Sequence, residues 1–195
     1  MPRVSEDHLT ARREQILEAA RICFLTKGLH STSMQDLIRE ADLSVGAVYR
    51  YFKSKNEIIS AIAATVAGSI AAALQEVAAK ELSMPEAVAA ALDVVEVQLG
   101  EGGAFPLAVQ IWAEATIDPA IGEIVRERYR ELQAAFEIIA RHAQARGELP
   151  ADADPAAAAA ALFSLMPGYA LQRMLIGGPD KETYAAGVRA ILSRR

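Results

Sequence analysis

The chain has 195 residues, 52% of them hydrophobic and 23% charged, and a net charge of −5. This composition excludes an intrinsically disordered protein and supplies enough apolar material for one or two domains with a substantial core. The single cysteine, Cys23, excludes an internal disulfide framework, and the N-terminus lacks the apolar stretch of a secretory signal, so a cytoplasmic protein is expected.

Helical periodicity dominates and no alternating strand pattern competes with it, which predicts an all-α fold. A first helix is expected from near Leu9 to Lys27, ending at Gly28, with Ile16, Ala19, Ala20, Cys23 and Phe24 inside. On that line Cys23 reads as a small buried hydrophobe, with a redox sensor as the alternative. A short second helix starts at Ser33, where Asp36 completes a capping box, and turns Met34, Leu37, Ile38 and Ala41 inward. Asp42 falls where the chain must turn sharply, and aspartate tolerates left-handed backbone angles. Ser44 caps a third helix that buries Val48 and leaves Val45, Gly46, Ala47, Tyr49 and Arg50 on its outer face or edges.

Two short helices joined by a tight turn are what a helix-turn-helix needs to enter a DNA major groove. Small residues early in the third helix let its backbone approach base edges, Tyr49 offers a hydroxyl, and Arg50 offers a five-donor fork. No acidic residue stands between Leu43 and Asn56, whereas Arg50, Lys53 and Lys55 do. Charge is also divided along the chain: residues 1–60 hold nine Lys/Arg against eight Asp/Glu, and residues 61–195 hold eleven against seventeen. A near-neutral head before an acidic body helps orient the head toward phosphate.

Lys55-Asn56-Glu57 opens a long alanine-rich helix, whose uncharged Ile58 to Gln75 segment is expected to fall short of a membrane span. Ser83, Pro85 and Glu86 start the next helix, closed by Gly100-Glu101-Gly102-Gly103. Phe105-Pro106 begins a helix that carries Trp112 and stops before Asp118-Pro119. A charged helix follows from Pro119 to Arg146, with Gly147 just past its end. Asp154-Pro155 caps an alanine-rich helix in which Pro167 is expected to introduce a kink that can open space for a ligand, and Asp180 to Leu192 form the last helix.

The run from about Leu9 to Ile59, most specifically Val48-Tyr49-Arg50-Tyr51-Phe52-Lys53-Ser54-Lys55, resembles the N-terminal domain of the TetR family of bacterial transcriptional regulators. The resemblance implies a three-helix DNA-binding domain, here residues 1–55, followed by an all-helical ligand-binding and dimerisation domain, residues 56–195. It implies that Ser33, Ser44, Gly46, Ala47, Tyr49, Arg50, Tyr51 and Lys55 face DNA. Gln35 and Val45 stand at DNA-facing positions where many relatives carry a cation; Val45 offers instead an apolar contact for a thymine methyl. From Phe105 to Ile176 the chain is similar to the C-terminal domains of a subgroup that includes the choline-responsive repressors. That similarity implies a homodimer through the last two long helices of the body.

A pocket for a small-molecule effector is expected among Phe105, Trp112, Tyr129, Phe136, Met166, Tyr169 and Met174, the aromatic and soft residues of the body, with plain core as the alternative for each. Gln98, Gln110 and Glu114 are candidate polar contacts. His8, His30 and His142 are too scattered for a metal site, and no cofactor motif, nucleophile-base pair or Glu-x-x-His pair suggests an enzyme. The expectation is a homodimeric repressor that binds a palindromic double-stranded DNA operator and is released by a small molecule. The alternative is a helical ligand-binding or adaptor protein with weakened DNA binding.

Overall fold

A computed structural model describes residues 6–100 and 102–192; Glu101, in the expected closing run, and the side chain of His8 lie outside the described residues. The described elements are all helical: α1 (Glu6–Lys27), α2 (Met34–Glu40), α3 (Val45–Tyr51), α4 (Lys55–Ala79), α5 (Met84–Leu99), α6 (Phe105–Ala115), α7 (Pro119–Ala145), α8 (Pro155–Ile176) and α9 (Lys181–Leu192). Two compact units divide them. One takes the residues up to Thr65 and adds Pro106–Arg126; the other takes Val66–Phe105 and Glu127 onward.

In the first unit, α1 buries the face its periodicity predicts: Ile16, Ala20 and Phe24 are inaccessible to solvent, and Ala19 and Cys23 nearly so. Burial also raises the Cys23 thiol above its ordinary pKa, which suppresses the thiolate a redox sensor needs. The helix α2 packs on α1, and Leu37 on α2, Ala41 just past its end and Val48 on α3 are buried, with Met34 and Ile38 half-buried.

In the second unit α5 packs on α8 and α9. Its start is fixed as the Ser83 and Glu86 spacing predicts: the Ser83 backbone N–H and hydroxyl both donate to the Glu86 carboxylate. Arg146, past the end of α7, donates to the carbonyls of Glu81 and Leu82, tying the turn before α5 to the turn before α8. Gly147 adopts φ +74, the left-handed cap expected there.

One expectation, for α4, needs correction, while α8 carries Pro167 within it. The helix α8 runs from Pro155 to Ile176 without interruption through Pro167. Buried Leu162, Phe163, Met166, Tyr169 and Ala170 on both sides of the proline anchor the helix, so packing carries it across one missing N–H. By length and composition α4 does reach what a membrane span requires, with a mean hydropathy of 1.8 over its most apolar window. The unbroken helix extends past the Ile58 to Gln75 segment, and its many alanines count as apolar; a third of that window is buried within this fold.

Candidate nucleic-acid interface

The two short helices are held in register by side chains that finish each other's backbone. Gln15 on α1 donates to the carbonyl of Ala41 at the end of α2 (2.7 Å), and Arg12 donates to Gln15 in turn (2.7 Å). At the start of α2 the Ser33 N–H and hydroxyl donate to Asp36, while the Asp36 N–H returns a bond to the Ser33 hydroxyl. Lys27 reaches the same carboxylate at 2.7 Å, and with Ser33 it holds Asp36 well below the usual carboxylate range. Asp42 makes the turn with φ +50, as its position predicts, and the Ser44 hydroxyl accepts the N–H of Ala47 at 3.2 Å.

This scaffold leaves the outer face of α3 uncovered. Val45 is 59% exposed and Tyr49 39%; Ser33, Gln35, Ser44, Gly46 and Arg50 are exposed too, while Ala47 and Tyr51 are half-buried. Gly46 is informative because a Cβ built there would meet nothing within 4 Å. Its backbone is ordinary helix and its surroundings are open, so the fold does not require glycine at this position.

Lys55 has a different setting. It is half-buried, and its ammonium donates to the carbonyls of Leu29 (3.0 Å) and Thr32 (3.2 Å) in the α1–α2 connection. The N–H of Leu29 is taken by Gln110 on α6 at 2.7 Å. The peptide groups of one buried residue are therefore gripped from α4 on one side and from α6 on the other.

Gln110 belongs to a row. Gln110 and Glu114 stand four apart on one face of α6, Asp118 follows just before α7, and each meets a group elsewhere in the first unit. Glu114 lies 3.6 Å from His30, and the Asn56 amide donates to Asp118 at 3.4 Å. Sequence reasoning placed Gln110 and Glu114 among pocket contacts; here they address the α1–α2 connection. The partner of a polar side chain on an amphipathic helix is a tertiary choice, and only the four-residue spacing hinted at this row.

Of the seven aromatic and soft candidates, Trp112 belongs to the first unit and the other six to the second. Tyr129 and Phe136 on α7 come together around Phe163 of α8, with ring centroids 5.1 and 5.8 Å from it. Phe136 is inaccessible, Phe105 and Met166 are buried, and Trp112 and Tyr129 are half-buried. Tyr169 is inaccessible too, lies tilted against Tyr184 with ring centroids 4.9 Å apart and donates its hydroxyl to Glu96, which also lies 3.6 Å from Arg173. Burial first, then the Glu96 carboxylate, pushes the Tyr169 phenol above its ordinary range. Met174 stands apart, 37% exposed beside Leu175 and Ile176. Among the described residues no group of three or more His, Cys, Asp or Glu side chains converges on a point where a metal would sit.

Comparison with known proteins finds a family match for each of two stretches of the sequence. Residues 16–62 match the family described as bacterial regulatory proteins, tetR family, and residues 103–195 match that described as BetI-type transcriptional repressor, C-terminal. The HTH-type transcriptional repressor Rv1474c of Mycobacterium tuberculosis is 43% identical over 63 residues, a match that covers 32% of this chain and 34% of that relative. The HTH-type transcriptional regulator BetI of Cronobacter sakazakii is 28% identical over 187 residues, covering 92% of this chain and 86% of the relative. Among solved structures, Salmonella enterica GusR superposes with a TM-score of 0.74 at 26% identity, covering 98% of this chain and 97% of that one.

Proposed function

Because the chain belongs to the TetR family of bacterial transcriptional regulators, and is a DNA-binding regulator and not an enzyme, we propose that it is a cytoplasmic, ligand-responsive repressor. It binds a palindromic operator as a homodimer and lets go when a small molecule binds its body. Residues 33–55 read the DNA. The observation that carries this reading is the open face of α3: exposed, acid-free from Leu43 to Asn56, and with a glycine in its first turn that the fold does not need. Glycine inside a helix costs roughly 0.5–1 kcal/mol relative to alanine, so a position that keeps it without internal need suits close approach of another surface.

Dimerisation is supported by the outer side of α8 and α9. Ala157, Ala161, Ser164 and Leu175 on α8 are exposed, as are Ala186 and Ile191 on α9. Leu175 is 72%, Ile176 76% and Ile191 82% exposed, large apolar side chains that a second copy would cover. A two-fold pair presents two reading helices to two half-sites about 34 Å apart, one turn of DNA. Release requires an effector with different affinities for two conformations of the dimer. The contacts of Gln110 with Leu29 and of Glu114 with His30 give α6 the means to move the α1–α2 connection when the effector displaces it.

Gly46→Ala tests the reading face. Thermal unfolding is expected to hold or rise slightly, because alanine favours the helix and meets no neighbour, while affinity for operator DNA falls by tenfold or more. Equal affinity of the variant and the original protein in a gel-shift titration would remove Gly46 from the interface and take away the main support for this reading.

A further inference from the structure

Between α2 and the first turn of α3 lies a shallow groove of about 600 Å³, lined in part by Gln35, Arg39, Asp42, Ser44 and Val45. Its cation has no firm partner. The Arg39 side chain is 76% exposed, and its ion-pair contact among the described residues is with Asp36, at 3.8 Å. Asp36 does not depend on it, because Lys27 holds that carboxylate at 2.7 Å and Ser33 donates to it twice. Arg39 can therefore turn toward an external anion without leaving a carboxylate unsatisfied.

Two further donors share the groove. The Gln35 amide is exposed, and the Ser44 oxygen already accepts the Ala47 N–H, which leaves the hydroxyl proton free to point outward. A guanidinium, an amide and a hydroxyl on one concave surface match the acceptor oxygens of a phosphodiester. One group opposes this. Asp42 also lines the groove, is exposed, and stands there because the turn demands a left-handed residue.

We propose that Arg39, assisted by Gln35 and Ser44, seats a DNA backbone phosphate in this groove, and that Asp42 limits the strength of the seat. The inference rests on the DNA-reading role given above to residues 33–55, and adds to it one contact and one antagonist. Arg39 acts as a positioning contact for the backbone, not as a reader of bases.

The test uses the full-length protein and a duplex recovered with it by selection from a random-sequence library. Arg39→Ala is expected to weaken binding roughly tenfold per head and to flatten the slope of log K against log salt by about one per head, with the preferred sequence unchanged. Arg39→Lys keeps the slope. Asp42→Asn retains a residue type that tolerates left-handed angles and removes the charge; it is expected to tighten binding at low salt, with the gain fading as salt rises. Arg141→Ala, on α7 and paired with Glu137, serves as a control expected to change neither quantity. An unchanged salt slope for a folded Arg39→Ala protein overturns the proposal, as does a changed base preference, which would make Arg39 a reader. Unaltered or weaker binding by Asp42→Asn overturns the role of Asp42. Failure of the original protein to select any sequence defeats the DNA-reading role itself and is distinguishable from all of these.

Discussion

Lys55→Ala is expected to lower the stability of the DNA-reading head by about 2–4 kcal/mol, from the loss of two hydrogen bonds donated by a charged group. The ammonium serves the carbonyls of Leu29 and Thr32, residues only 3% and 2% exposed, so truncation leaves two carbonyls with poor access to water. The Leu29 amide, meanwhile, stays bound to Gln110, and the connection keeps one of its two grips. Chemical unfolding of the head followed by circular dichroism measures the effect. A residue whose whole task was to touch phosphate from the surface would change stability by no more than about 0.5 kcal/mol. Operator affinity is expected to fall together with stability, because the clamped connection leads directly into Ser33 and the start of α2.

The second large effect is expected at Phe136. This ring is inaccessible, meets Phe163 edge-on and sits among the buried residues of the second unit, so Phe136→Ala is expected to cost about 3–5 kcal/mol. For a chain of this size that corresponds to a fall in Tm of roughly 6–20 °C. Met174→Ala provides the contrast. Met174 is 37% exposed, and its truncation is expected to leave Tm nearly unchanged. The pair separates the candidate pocket residues by physical role: equal losses at both positions would mean that Met174 is buried against something in solution, and the covering of α8 by a second copy would then account for it.

What could be read from the sequence was what neighbouring residues decide among themselves. Ser33 with Asp36, Ser83 with Glu86, Asp154 before Pro155 and Asp42 at the turn each declare a boundary within three or four positions, and the structure places helix ends at all of them. The same locality made the face of α1 legible, because a period of 3.6 residues selects Ile16, Ala20 and Phe24 without reference to what covers them.

Groups whose partners come from far along the chain were not legible in this way. Lys55 is separated from Leu29 by twenty-six positions and Gln110 from Leu29 by eighty-one, and no local signal links them. Tyr169 looked like a pocket residue because it is a large aromatic with a polar tip, yet that tip is committed to Glu96 across seventy-three positions. The continuation of α8 past Pro167 depends on distant packing in the same way. The local rule against proline inside a helix is outweighed where flanking side chains such as Phe163 and Tyr169 are buried. The exposure of the outer face of α3 was easier, since it is the default for polar and small residues opposite a buried Val48.

The proposed function makes the protein a two-fold reader of DNA built from residues 33–55. Footprinting of the full-length protein on duplexes selected from a random-sequence library tests it most directly. Two inverted, protected half-sites are expected, with centres separated by one helical turn, about 10 base pairs, or a whole multiple of it. A single isolated half-site would contradict the dimer, and the absence of any selected sequence would contradict the reading head.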